Sequence, residues 1–358
     1  MNDPQGELGE AHSKGGPAPR RVLHLLGPSS GGIRRHVRYL ALNPPAGYET
    51  AGVSGPPGLA GYFDGVPFHP AGRRPPPGSR ADLLHAHGLT AAAKALRWTG
   101  LATKGPPFAV TVHTSMRQTL RASFPGATTP AVQTGLWAAA RTMLRRAAAV
   151  IAVSETVRDE LGFGVVVAPA IDLPEAQPDA RRRVRKELET PEERLVILAV
   201  GRLHRDKRLD TFVRALRDTD AEGWIAGEGP ERAALESLAQ GTGVRLLGHR
   251  SDIGDLLAAA DVFALPAMAE SYGFAVMEAV AAGLPVVATR TGAVPELVGD
   301  AGILVDPGNE EHFRAAVHSL TSSPELRKTL REAARGRALP SAGQLAARVG
   351  EVYDQVLG

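Results

Sequence analysis

The chain has 358 residues, 43% hydrophobic and 22% charged, more than one core usually serves, so two domains are expected. It lacks cysteine and any run of about 18 apolar residues, which excludes disulfides, thiol catalysis and a membrane span and fits a cytoplasmic location. The net charge of +3 conceals +8 over residues 1–172 and −5 over residues 173–358; the basic half suits an anionic or lipid-linked acceptor, a peripheral contact with an acidic membrane, or a merely solvated face, and no nucleic-acid motif accompanies it.

Residues 1–20 combine Gly, Pro and charge without an apolar segment, which predicts a disordered leader and no secretory signal. The apolar run 21–26 predicts a buried parallel strand. A Ser-Ser-Gly-Gly loop with Gly31 and Gly32 follows, then a helix over 33–42. Strand, glycine loop and helix bring backbone amides to a phosphate, although two glycines also suit a plain tight turn. Residues 43–80 are rich in Pro and Gly and give no clear period.

A strand is expected over 81–88, where His85 and His87 are read as pointing to opposite faces, which argues against a zinc site. The next strand, 108–112, ends at His113, and in open α/β sheets ligands sit at that end. A helix over 135–148 puts Arg141 and Arg145 on its outer face. A strand over 150–154 ends in Ser154, a cap for the helix from Glu155, and a strand over 165–169 closes the half. The charged segment 173–194 is read as a linker.

The pattern then restarts. A strand over 195–201 leads into the basic loop 202–208 and a helix over 209–216. Arg202 and Lys207 are two cations at a strand end, suited to a leaving diphosphate or to simple solvation. Strands are expected from 224, over 244–248 and over 262–266, and a helix over 252–260. Gly248, His249 and Arg250 form the loop after the second of these strands.

Glu270 and Glu278 then flank Tyr272, Gly273, Phe274 and Ala275, which open a helix to 282. Gly273 allows close backbone approach to a ligand, and the first amides of the helix form an anion site. Glu278, roughly 7.5 Å along the helix, could accept two hydrogen bonds from a sugar diol such as ribose. Strands over 286–289 and 302–305 follow, then helices over 310–320, 324–337 and 342–357.

The two glutamates and the ordered motifs around them resemble the Glu-x7-Glu retaining glycosyltransferases of family 4. The likeness covers about residues 21 to 355, most strongly 195–308 and least 43–80. It implies an α/β fold of the GT-B type, two Rossmann-like βαβ domains facing each other across a cleft. The acceptor-side domain would span 21–172 with the returning helix 342–358, and the nucleotide-sugar domain 195–341.

It further implies front-face transfer from a nucleotide sugar, UDP ahead of GDP, without metal or other cofactor. Arg202 and Lys207 would meet the diphosphate. Gly31 and Gly32 would face it across the cleft, and Gly248, His249 and Arg250 would meet the base. Tyr272, Gly273, Phe274 and Ala275 would open the phosphate site, and Glu278 would hold the ribose. His113 and Glu270 would orient the transferred sugar, and His87 would lie on the acceptor side.

Two departures from the family pattern stand out: Ala170-Ile171-Asp172 replaces an Asn-Gly turn, and Arg208 replaces the glycine that usually follows the loop lysine. A nucleotide-sugar epimerase of the same fold and a non-catalytic nucleotide-sugar binder remain alternatives. A phosphorylase would need a pyridoxal-phosphate lysine, and Lys186, Lys207 and Lys328 are not placed for one.

Overall fold

The computed structural model describes residues 18–29, 31–76, 79–100, 105–115, 129–170, 173, 175–270 and 272–358. Residues 1–17 of the expected leader, Ser30, Ile171, Asp172 and Ser271 lie outside them.

Each short apolar run becomes a strand because both faces of a parallel sheet are covered by helices. The first sheet contains β1 (Arg20–Leu26), β2 (Tyr48–Gly55), β3 (Phe68–Pro70), β4 (Leu83–His87), β5 (Phe108–Val112), β6 (Ala149–Ala152) and β7 (Val165–Val166). Its order is β3-β2-β1-β4-β5-β6-β7. The second contains β8 (Val196–Val200), β9 (Glu222–Ala226), β10 (Val244–Gly248), β11 (Val262–Leu265), β12 (Val286–Thr289) and β13 (Gly302–Val305), in the order β10-β9-β8-β11-β12-β13. All neighbouring strands are parallel. The chain order reverses between β1 and β4 and again between β8 and β11. Open α/β sheets bind ligands at the carboxyl ends of such strands.

Local chemistry explains where the helices start. Ser154 accepts from the Val157 amide at 3.3 Å and opens the helix Glu155–Leu161. Thr129 followed by Pro130 opens the helix Pro130–Leu144, five residues before the expected start at 135. The segment 43–80 holds two strands and the 3-10 turn Pro57–Phe63, more order than its composition suggests. The helices Leu89–Thr99, Arg232–Ala239 and Val294–Val298 escaped the sequence reading.

The expected linker contains the helix Ala180–Glu187, fastened to the second sheet. Arg185 is 1% exposed. Its Nε donates to the Ala259 carbonyl at 3.0 Å, its Nη1 to the Pro191 carbonyl at 2.7 Å, and its Nη2 to Asp261 at 2.8 Å. A buried guanidinium persists only when paired and hydrogen-bonded in this way.

The last helix, Ala342–Leu357, starts with a Ser341/Gln344 capping box and packs on the first sheet. Leu345, Val349, Val352 and Tyr353 share a core with Val22, Tyr39, Leu40 and Tyr48. The Tyr48 hydroxyl donates to Asp354 at 2.6 Å.

Candidate active site

In the second domain, the loop after β8 turns through Arg205–Lys207 and enters the helix Leu209–Leu216 at Arg208. Arg208 has φ 49° and ψ 41°, left-handed backbone where glycine is the unstrained choice. This accounts for the family's usual glycine. Here Arg208 is held by ion pairs to Asp210, at 3.1 Å, and to Glu310.

The loop is backed by Gly227 and Gly229. A Cβ on Gly227 would lie 1.9 Å from the Gly201 carbonyl oxygen, and one on Gly229 would lie 2.3 Å from that of Leu203. Those glycines therefore let one loop lie directly on the other.

The loop after β11 meets the basic loop. The Met268 amide donates to the Asp206 carbonyl at 2.7 Å. The Lys207 ammonium forms an ion pair with Glu270, and both are partly buried. Arg202 is exposed. Gly273, at φ 91°, turns the chain into the helix Phe274–Ala281. Tyr272 is buried beside Phe274, with ring centroids 5.2 Å apart, and its hydroxyl has no hydrogen-bond partner among the described residues. Burial pushes that phenol's pKa up. Ala275 is half-buried in the first turn of the helix.

Glu278 is 4% exposed, and desolvation raises its carboxyl pKa against the opposing pull of Arg35. At the edge of the second sheet, Gly248 has φ 74° and His249 is exposed. Arg250 reaches Asp252 and Glu187, each at 2.6 Å, which ties the expected base loop to the helix Ala180–Glu187.

Across the cleft, Gly31 has φ 54° with open space where a Cβ would be. Gly32 starts the helix Gly32–Leu42. A Cβ on Gly32 would lie 2.0 Å from Cδ2 of Phe274, so the glycine admits the phenyl ring. Three residues on, Arg35 donates to Glu278. A second bridge joins the Thr156 hydroxyl to the Gly292 carbonyl at 3.0 Å. Arg35, one of the cations of the basic half, is thus paired with the carboxylate expected to hold ribose.

The histidine reading needs a correction. Residues two apart on a strand share a face, and the His85 and His87 rings lie 4.2 Å apart between centroids. His24 is the register partner of His85 on the neighbouring strand. His87 Nε2 lies 3.1 Å from His24 Nδ1, and His87 Nδ1 lies 3.1 Å from His113 Nε2. His36, from the helix that carries Arg35, stands edge-on to His113 at 5.1 Å.

All five histidines are buried, and burial is the main cause of their lowered pKa values, about 3 for His24 and about 4 for His36. At neutral pH His113 is therefore a neutral imidazole, able to hydrogen-bond a sugar hydroxyl without adding charge. His24 and His36 went unnoticed in the sequence because their neighbours are distant along the chain.

One family model, described as Glycosyltransferase Family 4, matches residues 32–172, and another, Glycosyl transferases group 1, matches residues 180–337. The chain belongs to glycosyltransferase family 4. Among this family 4 chain's relatives is the GDP-mannose-dependent alpha-(1-6)-phosphatidylinositol dimannoside mannosyltransferase of Mycobacterium tuberculosis. It is 37% identical over 184 residues, 49% of this chain and 47% of that protein, so the match spans less than half the relative's length. Alpha-D-kanosaminyltransferase of Streptomyces kanamyceticus is 28% identical over 279 residues, 71% of this chain and 70% of that protein. Anabaena HepE in complex with UDP and glucose has the same GT-B fold, with a TM-score of 0.76 at 19% identity over 93% of this chain and 99% of that one.

Proposed function

We propose that this family 4 chain transfers a sugar from a nucleoside-diphosphate sugar to an acceptor hydroxyl with retention of configuration. The pairing of Lys207 with Glu270 at the β8/β11 reversal carries the reading. It puts a cation for the diphosphate beside a carboxylate for the sugar, next to the opening of the Gly273 helix.

In the proposed reaction the acceptor oxygen bonds to the anomeric carbon on the face from which the diphosphate leaves. The acceptor proton passes to the departing phosphate oxygen. Lys207, Arg202, the Phe274 and Ala275 amides and the Gly31-Gly32 loop stabilise the growing negative charge. Glu270 and neutral His113 orient the sugar. Glu278 exchanges Arg35 for the ribose hydroxyls. The cations at the diphosphate end supply what a metal would, which supports a metal-independent reaction.

UDP is the favoured nucleotide, in keeping with the UDP held by HepE; GDP is the competitor, since the mycobacterial relative is named for GDP-mannose. The acceptor is anionic or lipid-linked, with His87 on its side of the cleft. Among the described residues no helix is long and apolar enough to cross a membrane. The proposed setting is the cytoplasm, with peripheral contact to the inner membrane face.

A thermal-shift screen of nucleotide sugars, followed by product analysis with donor alone and with donor plus acceptor, tests the reading. Stabilisation by about 2.7 kcal/mol is expected at a hundredfold excess of ligand over Kd, unchanged by chelator. Conversion of donor to an epimer without acceptor would support the epimerase instead. Binding abolished by chelator would overturn the metal-free mechanism.

A further inference from the structure

Two histidine triplets each bring one ring nitrogen per residue within 4.8 Å of the others: His24, His85 and His87, and His36, His87 and His113. They are not equivalent. His85 already spends both nitrogens, one on the Tyr353 hydroxyl and one on the Thr111 hydroxyl, each at 2.7 Å. Binding there would break two good buried hydrogen bonds. In the other triplet His36 is 2% exposed, and among the described residues its Nδ1 has no hydrogen-bond partner. A buried polar atom left unpaired is costly and calls for an explanation.

We propose that His36, His87 and His113 form a binding site for a borderline-soft divalent cation such as Zn2+ beside the sugar-binding side of the cleft. Bonds of 2.0–2.1 Å at a tetrahedral angle put two ligand nitrogens about 3.3 Å apart. His87 Nδ1 and His113 Nε2 stand 3.1 Å apart, so a cation could replace the proton they share with little movement. His36 supplies the third nitrogen, within 4.8 Å of the other two. His87 Nε2–H then donates to His24 Nδ1, at 3.1 Å, as a supporting bond that fixes the tautomer of a ligating histidine. Three imidazoles and an open fourth position suit zinc, cobalt or nickel, and not the oxygen-seeking magnesium or calcium. An ion there ties down His113, the histidine proposed to orient the sugar, so it inhibits transfer and is no cofactor.

The test uses the full chain stripped of metal, without nucleotide sugar, so that its failure leaves the transfer reading untouched. Zn2+ retained after dialysis is measured, and Co2+ is titrated while visible absorption is followed. One retained equivalent and an intense tetrahedral Co2+ spectrum are expected. His36→Gln and His87→Gln should each weaken binding by on the order of tenfold or more. His318→Gln, outside the cluster, should bind as the parent does. Circular dichroism of the metal-free variants checks that they fold, and the Zn2+-induced rise in Tm should be lost in His36→Gln. No retained zinc in the parent chain overturns the proposal. So does equal zinc uptake by the folded His36 and His87 variants, or equal affinity for Mg2+.

Discussion

Arg35 of the first domain donates to Glu278 of the second, so the buried carboxylate is neutralised from across the cleft. In the proposed reaction ribose takes its place. Arg35→Ala should then lower stability by about 1–3 kcal/mol, because it strands a buried carboxylate. It should also tighten UDP binding, because no pair has to be broken first. Thermal unfolding and calorimetry on the same variant measure both. Weaker UDP binding would show that Arg35 touches the donor itself, and the latch would be the wrong description.

The Glu278 carboxyl also gives stability a pH dependence. Its pKa is raised in the folded state, chiefly by burial, above the ordinary 4.5. Its favourable contribution is therefore full below the unfolded value and is lost as pH rises through the folded value. Glu278→Gln should flatten that loss and be at least as stable as the parent at pH 7, while binding nucleotide more weakly. Denaturant titrations between pH 4 and pH 8, compared between parent and variant, check it. A variant that loses stability at every pH would contradict the assignment.

Lys207 and Glu270 neutralise each other in the free protein but have separate tasks in the proposed reaction. Lys207→Ala should cut kcat by on the order of 10²-fold, with a smaller change in nucleotide affinity, because charge builds on the diphosphate only as the bond breaks. Glu270→Ala should leave UDP affinity intact or improved, since it frees Lys207, and should still impair transfer. Glu278→Ala should raise the donor KM more than it lowers kcat. Steady-state kinetics beside UDP calorimetry decide. Loss of UDP binding in Glu270→Ala with retention in Glu278→Ala would reverse the two carboxylates.

Arg208 offers a test of backbone strain. Left-handed backbone at a residue with a side chain costs roughly 1–2 kcal/mol relative to glycine, and ion pairs at the surface return about 0–1 kcal/mol. Arg208→Gly should be neutral or mildly stabilising. Arg208→Val should destabilise by more than about 1 kcal/mol, since a β-branched residue fits that conformation worst. Chemical denaturation of the two variants gives the comparison.

With Arg35 engaged by Glu278, Arg34, Arg38, Arg141 and Arg145 remain as candidates for membrane contact. Arg141 lies over the Trp137 ring at 4.4 Å and Arg145 over the Phe163 ring at 5.1 Å, and Arg38 donates to the Asp64 carbonyl at 3.5 Å. Arg145 is exposed and Arg34, Arg38 and Arg141 are half-buried. If this face meets anionic lipid, sedimentation with anionic liposomes should fall steeply with salt and should not occur with neutral liposomes. Equal sedimentation with both would mark these residues as solvated charge.

Sequence reading worked where one local rule decides the outcome. Strands such as β8 and β12 are almost wholly apolar because both faces are covered, and they fall where expected. Ser154 marked its helix start for the same reason, through a local hydrogen bond. Long-range pairs were not legible. Arg35 looks like surface charge until Glu278, 243 residues later, folds beside it. His24 and His85 meet only through the β1/β4 register. The segment 173–194 looked like linker because its charge is evident and the pocket of carbonyls that buries Arg185 is not.

The returning helix has a consequence for engineering the protein by recombination. A cut between residues 170 and 180 separates the two sheets but leaves the first without Leu345, Val349, Val352 and Tyr353, which belong to its core. The front half of the gene alone would encode a sheet with an uncovered apolar face. An exchange of first domains between relatives must therefore transplant two separate stretches of coding sequence, the second encoding Ala342–Leu357. Chimaeras joined at a single point would keep a foreign last helix against Tyr48 and His85, and should fold poorly even with every cleft residue in place.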